Sequence, residues 1–61
     1  MELLFDINKT YRIWVKREGI TLTFTGTKVK TINELITFID KFDQQQIFPL
    51  NTLIEAKEVF V

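Results

Sequence analysis

The stretch "YRIWVKREGITLTFT" (residues 11–25) constrains the fold more than any other part of this 61-residue chain. Apolar and polar side chains alternate along both of its halves, a pattern typical of strands with one buried face. The two residues between the halves, Glu18 and Gly19, predict a tight hairpin turn, since glycine readily adopts a positive φ. The turn also sets the register of the two strands, which is described by three cross-strand pairs: Val15–Leu22, Ile13–Phe24 and Trp14–Thr23.

The residues before this hairpin predict a third strand, at residues 2–7. A three-residue loop at residues 8–10 keeps apolar residues on one face, whereas a two-residue loop mixes the faces. It gives the pairs Phe5–Ile13, Ile7–Tyr11, Leu3–Val15, Asp6–Arg12 and Glu2–Lys16, of which the last two join opposite charges. The predicted inner face is Leu3, Phe5, Ile7, Tyr11, Ile13, Val15, Ile20, Leu22 and Phe24. The predicted outer face is Glu2, Leu4, Asp6, Arg12, Trp14, Lys16, Thr21, Thr23 and Thr25.

A helix is predicted over residues 31–42. Thr31 and Glu34 have the capping-box spacing, and an apolar stripe follows at helical spacing: Ile32, Leu35, Ile36, Ile39 and Phe42. The tail, residues 47–61, is open to two interpretations. We favour short strands with a turn at residues 55–58 over a second helix begun at Asn51 or Thr52. The fold class predicted is therefore α+β: one domain (residues 1–61) with a three-stranded antiparallel meander packed on one amphipathic helix.

The composition argues against catalysis. The chain contains no His, Cys or Ser, so the usual nucleophile–base pairs cannot be assembled. "TGTK" at residues 25–28 lacks the spacing of a phosphate-binding loop. The closely spaced acidic pairs Asp40/Asp43 and Glu55/Glu58 are more often solvated than metal-binding. We expect a non-enzymatic protein with no cofactor, no metal and no small-molecule substrate.

Trp14 is the only tryptophan, and its predicted outer position has three interpretations. It could belong to an interaction surface, lie on an ordinary solvated face, or be covered by the C-terminal strands. We favour the first, because tryptophan beside arginine and an aliphatic residue is typical of binding hot spots. The candidate protein-interaction residues are Leu4, Arg12, Trp14, Lys16 and Thr23. An edge strand, residues 2–7 or 20–25, could also pair with a partner protein or a second copy.

The charge distribution leaves an alternative open. The net charge is zero, yet residues 1–30 carry six basic and three acidic side chains, and residues 31–61 carry two basic and five acidic ones. Such complementary halves favour a homo-oligomer. The alternative is a nucleic-acid-binding accessory or regulatory protein that uses a basic group: Arg12, Lys16, Arg17, Lys28 and Lys30. The sequence shows neither a membrane span nor a signal peptide, so a cytoplasmic location is expected.

The segments "TKVKTINELITFIDKF" and "IFPLNTLIEAKEVFV" resemble small uncharacterised proteins encoded by phages and prophages of low-GC Gram-positive bacteria. The likeness spans about half of the chain and lies in core residues. It implies an extended tail and an accessory factor that binds a host or phage macromolecule.

Overall fold

The structure, a computed structural model, describes residues 5–60. It consists of one antiparallel sheet of five strands in the order β4-β3-β2-β1-β5. The strands are β1 (Thr10–Arg17), β2 (Ile20–Ile32), β3 (Leu35–Ile39), β4 (Gln45–Pro49) and β5 (Leu53–Val59). A single 3₁₀ turn, Leu50–Thr52, connects β4 at one edge of the sheet to β5 at the other. No helix within residues 5–60 is long and apolar enough to cross a membrane.

The β1–β2 hairpin is confirmed. Val15 pairs with Leu22, Ile13 with Phe24 and Trp14 with Thr23, as the turn predicted. Glu18 and Gly19 have φ values of 51° and 78°, the two positive values of a type I′ turn. Tyr11, Ile13 and Val15 are buried, and Leu22 and Phe24 are half-buried. Ile20 lies on the same face as Leu22 and Phe24, as predicted, but it is 62% exposed at the hairpin end and does not belong to the core.

The predicted pairing of residues 5–7 with β1 is wrong. The second neighbour of β1 is β5, with Ile13 opposite Ala56, and this pairing between chain ends gives no local signal. Residues 6–9 form a turn instead, in which the Asp6 carboxylate accepts a hydrogen bond from the Asn8 N–H at 2.9 Å. Ile7 is 52% exposed, and Arg12 lies opposite Thr25 and Lys57 rather than Asp6. The predicted positions of Glu2, Leu3 and Leu4 lie outside the described residues.

The predicted helix at residues 31–42 is also wrong, and with it the α+β fold class: residues 5–60 form an all-β fold. β2 continues to Ile32, and a two-residue turn leads into β3. Asn33 and Glu34 have φ values of 49° and 64°, so this turn is again of type I′. The flanking segments are rich in Ile and Thr, which pack well in sheets. Thr31 consequently lies opposite Ile36, and Ile32 opposite Leu35.

The extended interpretation of the tail is confirmed, and the second helix is wrong. The predicted turn at residues 55–58 does not occur, because β5 runs without a break from Leu53 to Val59. The pairing of β5 with β1 has one shift of register. Trp14 pairs with Glu55 and Val15 with Leu53, so Ile54 has no opposite residue in β1.

The sheet curls strongly along β2. This strand pairs with β1 from Ile20 to Thr27 and with β3 from Thr27 to Ile32, and Lys28 forms a bulge with a φ of 53° between the two parts. The curl brings Phe48 of β4 to 5.4 Å from Phe24 of β2, measured between ring centres, although β3 separates their strands. The buried core inside the curl consists of Tyr11, Ile13, Val15, Val29, Ile36, Phe38 and Phe48.

Candidate functional site

The outer face of the β1–β2 hairpin forms one wall of the candidate site. Arg12 and Trp14 alternate with the buried residues of β1, so their side chains lie on the opposite face of the sheet. Trp14 is half-buried and lies between Thr23 of β2 and Glu55 of β5. Because β5 lies beside β1 in the sheet, it flanks Trp14 and does not fold over it, contrary to the third interpretation above.

The turn between β3 and β4 forms the opposite wall. Together the two walls enclose an open cavity of about 550 Å³, which we call the outer groove. It is lined by Arg12, Trp14, Thr23, Phe24, Thr25, Asp40, Lys41 and Phe42. Its volume is within the range of known ligand sites, about 300–1,000 Å³. The structure thus brings three of the predicted interaction residues, Arg12, Trp14 and Thr23, into one site. Lys16 lies further along β1, opposite Thr21 and outside the groove, and Leu4 is outside the described residues.

Asp40 fixes the shape of the β3–β4 turn. Its side chain is only 8% exposed, and its Oδ1 atom accepts hydrogen bonds from the N–H groups of Phe42 and Gln44, both at 2.9 Å. Its Oδ2 atom accepts one from the Gln46 side-chain amide at 2.9 Å. The Gln44 N–H and the Gln46 amide hold the pKa of the Asp40 carboxyl below its ordinary value; the Phe42 N–H adds to this, and burial opposes it. Asp40 therefore acts as the anchor of the turn.

The anchored turn displays an aromatic ring to solvent. Phe42 is 72% exposed, and the Lys41 ammonium lies 5.3 Å from the centre of its ring. This wall of the groove was not predicted, because residues 40–42 were expected at the end of a helix. The available signal was the aspartate at the start of "DKFDQ", since aspartate side chains accept hydrogen bonds from backbone N–H groups in turns.

One side of the β2 backbone is not paired with another described strand along the groove. A two-residue turn makes Arg17 and Ile20 a hydrogen-bonded pair, and bonded pairs then alternate along the ladder. The N–H and C=O groups of Thr23 and Thr25 consequently point away from β1. β3 pairs with β2 only from Thr27 onward. Among the described residues, therefore, no strand pairs with β2 beside Thr23 and Thr25, both of which line the groove.

The charges of the groove are mainly positive. Among the described residues that line it, Arg12 and Lys41 are the two cations and Asp40 is the one anion, and the Asp40 carboxylate oxygens already accept three hydrogen bonds. Lys57 of β5 lies opposite Arg12 and adds a third cation nearby, whereas Glu55 lies opposite Trp14. Within residues 5–60, Arg12, Lys41 and Lys57 form no ion pair, so an acidic ligand would meet these cations in and beside the groove.

The basic residues of the nucleic-acid alternative are divided among different parts of the structure. Arg12 lines the outer groove and Lys16 lies further along the same strand. The Arg17 guanidinium lies 5.6 Å from the ring centre of Phe48, a distance typical of a cation–π contact. Lys28 and Lys30 line a separate cavity of about 160 Å³.

Within residues 5–60, no group of three or more acidic side chains could hold a metal ion. Comparison with protein-family models, with curated proteins and with solved structures gives no match. The properties of the groove itself therefore carry the functional proposal.

Proposed function

We propose that this protein is a non-enzymatic interaction module that binds an extended, acidic segment of a partner protein in the outer groove. The observation that carries the proposal is the coincidence of two features: the unpaired stretch of β2 and the aromatic pair Trp14 and Phe42 line the same cavity. The resemblance noted above points to a host or phage protein as the partner, and the cysteine-free composition is in keeping with a cytoplasmic location.

Binding would extend the sheet by one strand. The outward N–H and C=O groups of Thr23 and Thr25 are spaced to bond with alternate residues of an added strand, as in other cases of recognition by strand addition. Backbone pairing of this kind supplies affinity with little dependence on sequence. Selectivity must then come from the side chains that line the groove.

The groove selects for one apolar side chain beside an acidic one. Thr23 and Thr25 share the outer face with Trp14, so a residue of the added strand on that face enters the cavity between Trp14 and Phe42. A large apolar side chain there removes both rings from water, and exposed aromatic residues often dominate binding energy in this way. Acidic neighbours in the segment would pair with Arg12 and Lys41.

The test is selection from a random peptide library, followed by titration of the selected peptides. We expect selected peptides to combine an aromatic or large aliphatic residue with Asp or Glu. Phe42→Ala should weaken binding at least about tenfold, as truncation of a hot spot does. The matched control is Phe60→Ala, since Phe60 is also highly exposed, at 86%, and does not line the groove. Trp14→Ala should weaken binding while the protein stays folded.

Strand addition has its own test. Methylation of the peptide nitrogen that bonds to β2 should reduce affinity, whereas methylation of the next nitrogen, which points away, should not. Binding would also shift the amide NMR signals of Thr23 and Thr25. Equal effects of the two methylated peptides, or equal losses from Phe42→Ala and Phe60→Ala, would contradict the proposal.

A second candidate is binding of single-stranded nucleic acid, and one observation favours it. Phe42 places a second aromatic ring in the same groove as Trp14, together with Arg12 and Lys41, and single strands are bound by stacking on aromatic rings among cations. Titration with a single-stranded oligonucleotide separates the two candidates. Nucleic-acid binding would weaken steeply with salt, and it would depend on Arg17 and Lys28 as well if the whole basic group takes part.

A further inference from the structure

The edge strand β4 differs from the other edge of the sheet in having no charge. β4, with the sequence "QQIFP", contains no ionisable residue. The opposite edge strand, β5, contains Glu55, Lys57 and Glu58. Natural sheets usually protect their edges with charged side chains, which discourage pairing with another chain. β4 has no such protection beyond the proline at its end.

The hydrogen-bonding direction of β4 follows from one bond at its end. The Leu50 N–H donates to the Glu34 carbonyl at 2.8 Å, which makes Leu35–Pro49 a non-hydrogen-bonded pair of the ladder. By alternation, Phe48 and Gln46 bond to β3. The backbone groups of Gln45, Ile47 and Pro49 therefore point outward from the sheet. Since proline has no N–H, the outward donors of β4 are those of Gln45 and Ile47.

We propose that β4 pairs with β4 of a second copy, antiparallel, about a two-fold axis at Ile47. In this register the Ile47 N–H and C=O groups of the two copies bond to each other. The Gln45 N–H of each copy donates to the Pro49 carbonyl of the other. Every outward N–H of β4 thus obtains an acceptor, and the missing donor of Pro49 falls at the two ends of the pairing.

An apolar surface adjoins this axis. Ile32, Leu35 and Pro49 lie side by side across three strands, and Ile47 lies on the same face of β4. The three aliphatic residues among them are 38–53% exposed. The two-fold axis joins the patches of the two copies into one continuous surface. For a chain of this length, which buries only about 60% of its surface on folding, such pairing adds stability.

A second copy suits β4 better than a head-to-tail contact with β5. A β4–β5 contact would place the uncharged strand against Glu55, Lys57 and Glu58, and would leave another open edge at each end. The isologous contact uses two identical neutral strands and closes at two copies. It also leaves the outer groove free, so it does not depend on the proposed function.

The test is the molar mass of the intact protein in solution, measured by sedimentation equilibrium over a range of concentrations. We expect a reversible dimer of the 7.3 kDa chain. Ile47→Lys should weaken the dimer by at least about tenfold, since like charges then meet at the axis, and Ile47→Glu should do the same. An equimolar mixture of the two variants should restore a dimer, because lysine then faces glutamate. The matched control is Ile54→Lys in β5, which should leave the dimer intact; Ile54 is 55% exposed and Ile47 is 53% exposed.

Three results would overturn the proposal. They are a monomer at every concentration, an oligomer larger than a dimer, and a dimer that Ile47→Lys leaves unchanged. Amide hydrogen exchange adds an independent test: the Gln45 and Ile47 amides should gain protection as the protein concentration rises. Protection of both amides at every concentration, in a monomer, would mean that residues 1–4 or another part of the same chain cover this edge.

Discussion

Replacing Gly26 by alanine tests the packing of the curled sheet where it is tightest. Gly26 lies in β2 opposite Tyr11, just before β2 changes its partner from β1 to β3. A Cβ atom added there would lie 2.8 Å from Cδ2 of Phe38 and 3.0 Å from both Cγ of Phe38 and Cδ1 of Ile13. Favourable carbon–carbon contacts are at about 3.5–4.0 Å, so alanine requires the ring or the strand to move.

Neither neighbour of Gly26 can move easily. Phe38 is 1% exposed and Ile13 is fully buried, and the Phe38 ring packs against Phe24 and Phe48 with ring centres 5.4 Å and 6.2 Å away. Overpacking costs about 1–3 kcal/mol, and these constraints place Gly26→Ala at the upper end. Because φ of Gly26 is not positive, alanine recovers about 0.5–1 kcal/mol of backbone entropy. The free energy of unfolding should therefore fall by about 2 kcal/mol.

Urea and thermal unfolding, followed by the fluorescence of Trp14, measure this loss. For a domain of this size, about 2 kcal/mol lowers the Tm by about 8–16 °C. The specific control is a second substitution, Ile13→Val, which removes Cδ1, one of the three atoms that the new methyl group meets, at a cost of only about 0.5–1.5 kcal/mol. This second substitution should reduce the loss of unfolding free energy caused by Gly26→Ala but not the loss caused by Gly19→Ala. An added Cβ at Gly19 has no atom within 4 Å, so the cost there comes only from the positive φ of 78°. The prediction would be refuted if the losses of unfolding free energy were additive in both double variants. It would also be refuted if Gly26→Ala were as stable as the unchanged protein.

Two further predictions concern the turns. The folded pKa of Asp40 is lowered, so its stabilising effect is present above the unfolded value of about 3.9 and is lost as the pH falls through the folded value. Asp40→Asn should therefore reduce the dependence of the urea midpoint on pH below about 4; an unchanged pH profile would exclude Asp40 as its source. Glu34→Gly should raise the free energy of unfolding by about 0.5–1 kcal/mol, because it relieves a positive φ of 64°. A helix at this position would instead lose about 1 kcal/mol, so the sign of the change in chemical denaturation decides between the two structures.

The β1–β2 hairpin could be predicted because all its determinants are local. The alternation of side chains, the Glu18–Gly19 turn and the register agree with one another within 15 residues. That agreement also sufficed to place Arg12, Trp14 and Thr23 on the outer face. The second wall of the groove could not be predicted in this way, because its position depends on β3, whose residues were predicted to form a helix.

The two main errors have separate physical causes. Thr31 and Glu34 have the spacing of a capping box, yet the last two residues of this stretch, Asn33 and Glu34, become the central residues of a type I′ turn when both adopt positive φ. Asparagine favours positive φ, but glutamate does not. The local sequence therefore did not decide between a helix start and a type I′ turn. The strand beside β1 was misassigned for another reason. β5 comes from the far end of the chain, and its pairing includes an ion pair between Lys9 and Glu58 at 3.4 Å, which no local pattern indicates.

The open groove follows from the unequal lengths of the strands. β2 has 13 residues, whereas β1 has 8 and β3 has 5, so no single neighbour can pair with all of it. The curl distributes β2 between two partners, and the stretch before Thr27 is left with one free side, beside Trp14 and Phe42. Gly26 lies at the change of partner, and a substitution there disturbs the core and the groove together. Phe42 is outside the core, and its removal separates binding from folding, which is why Phe42→Ala is the more informative test of function.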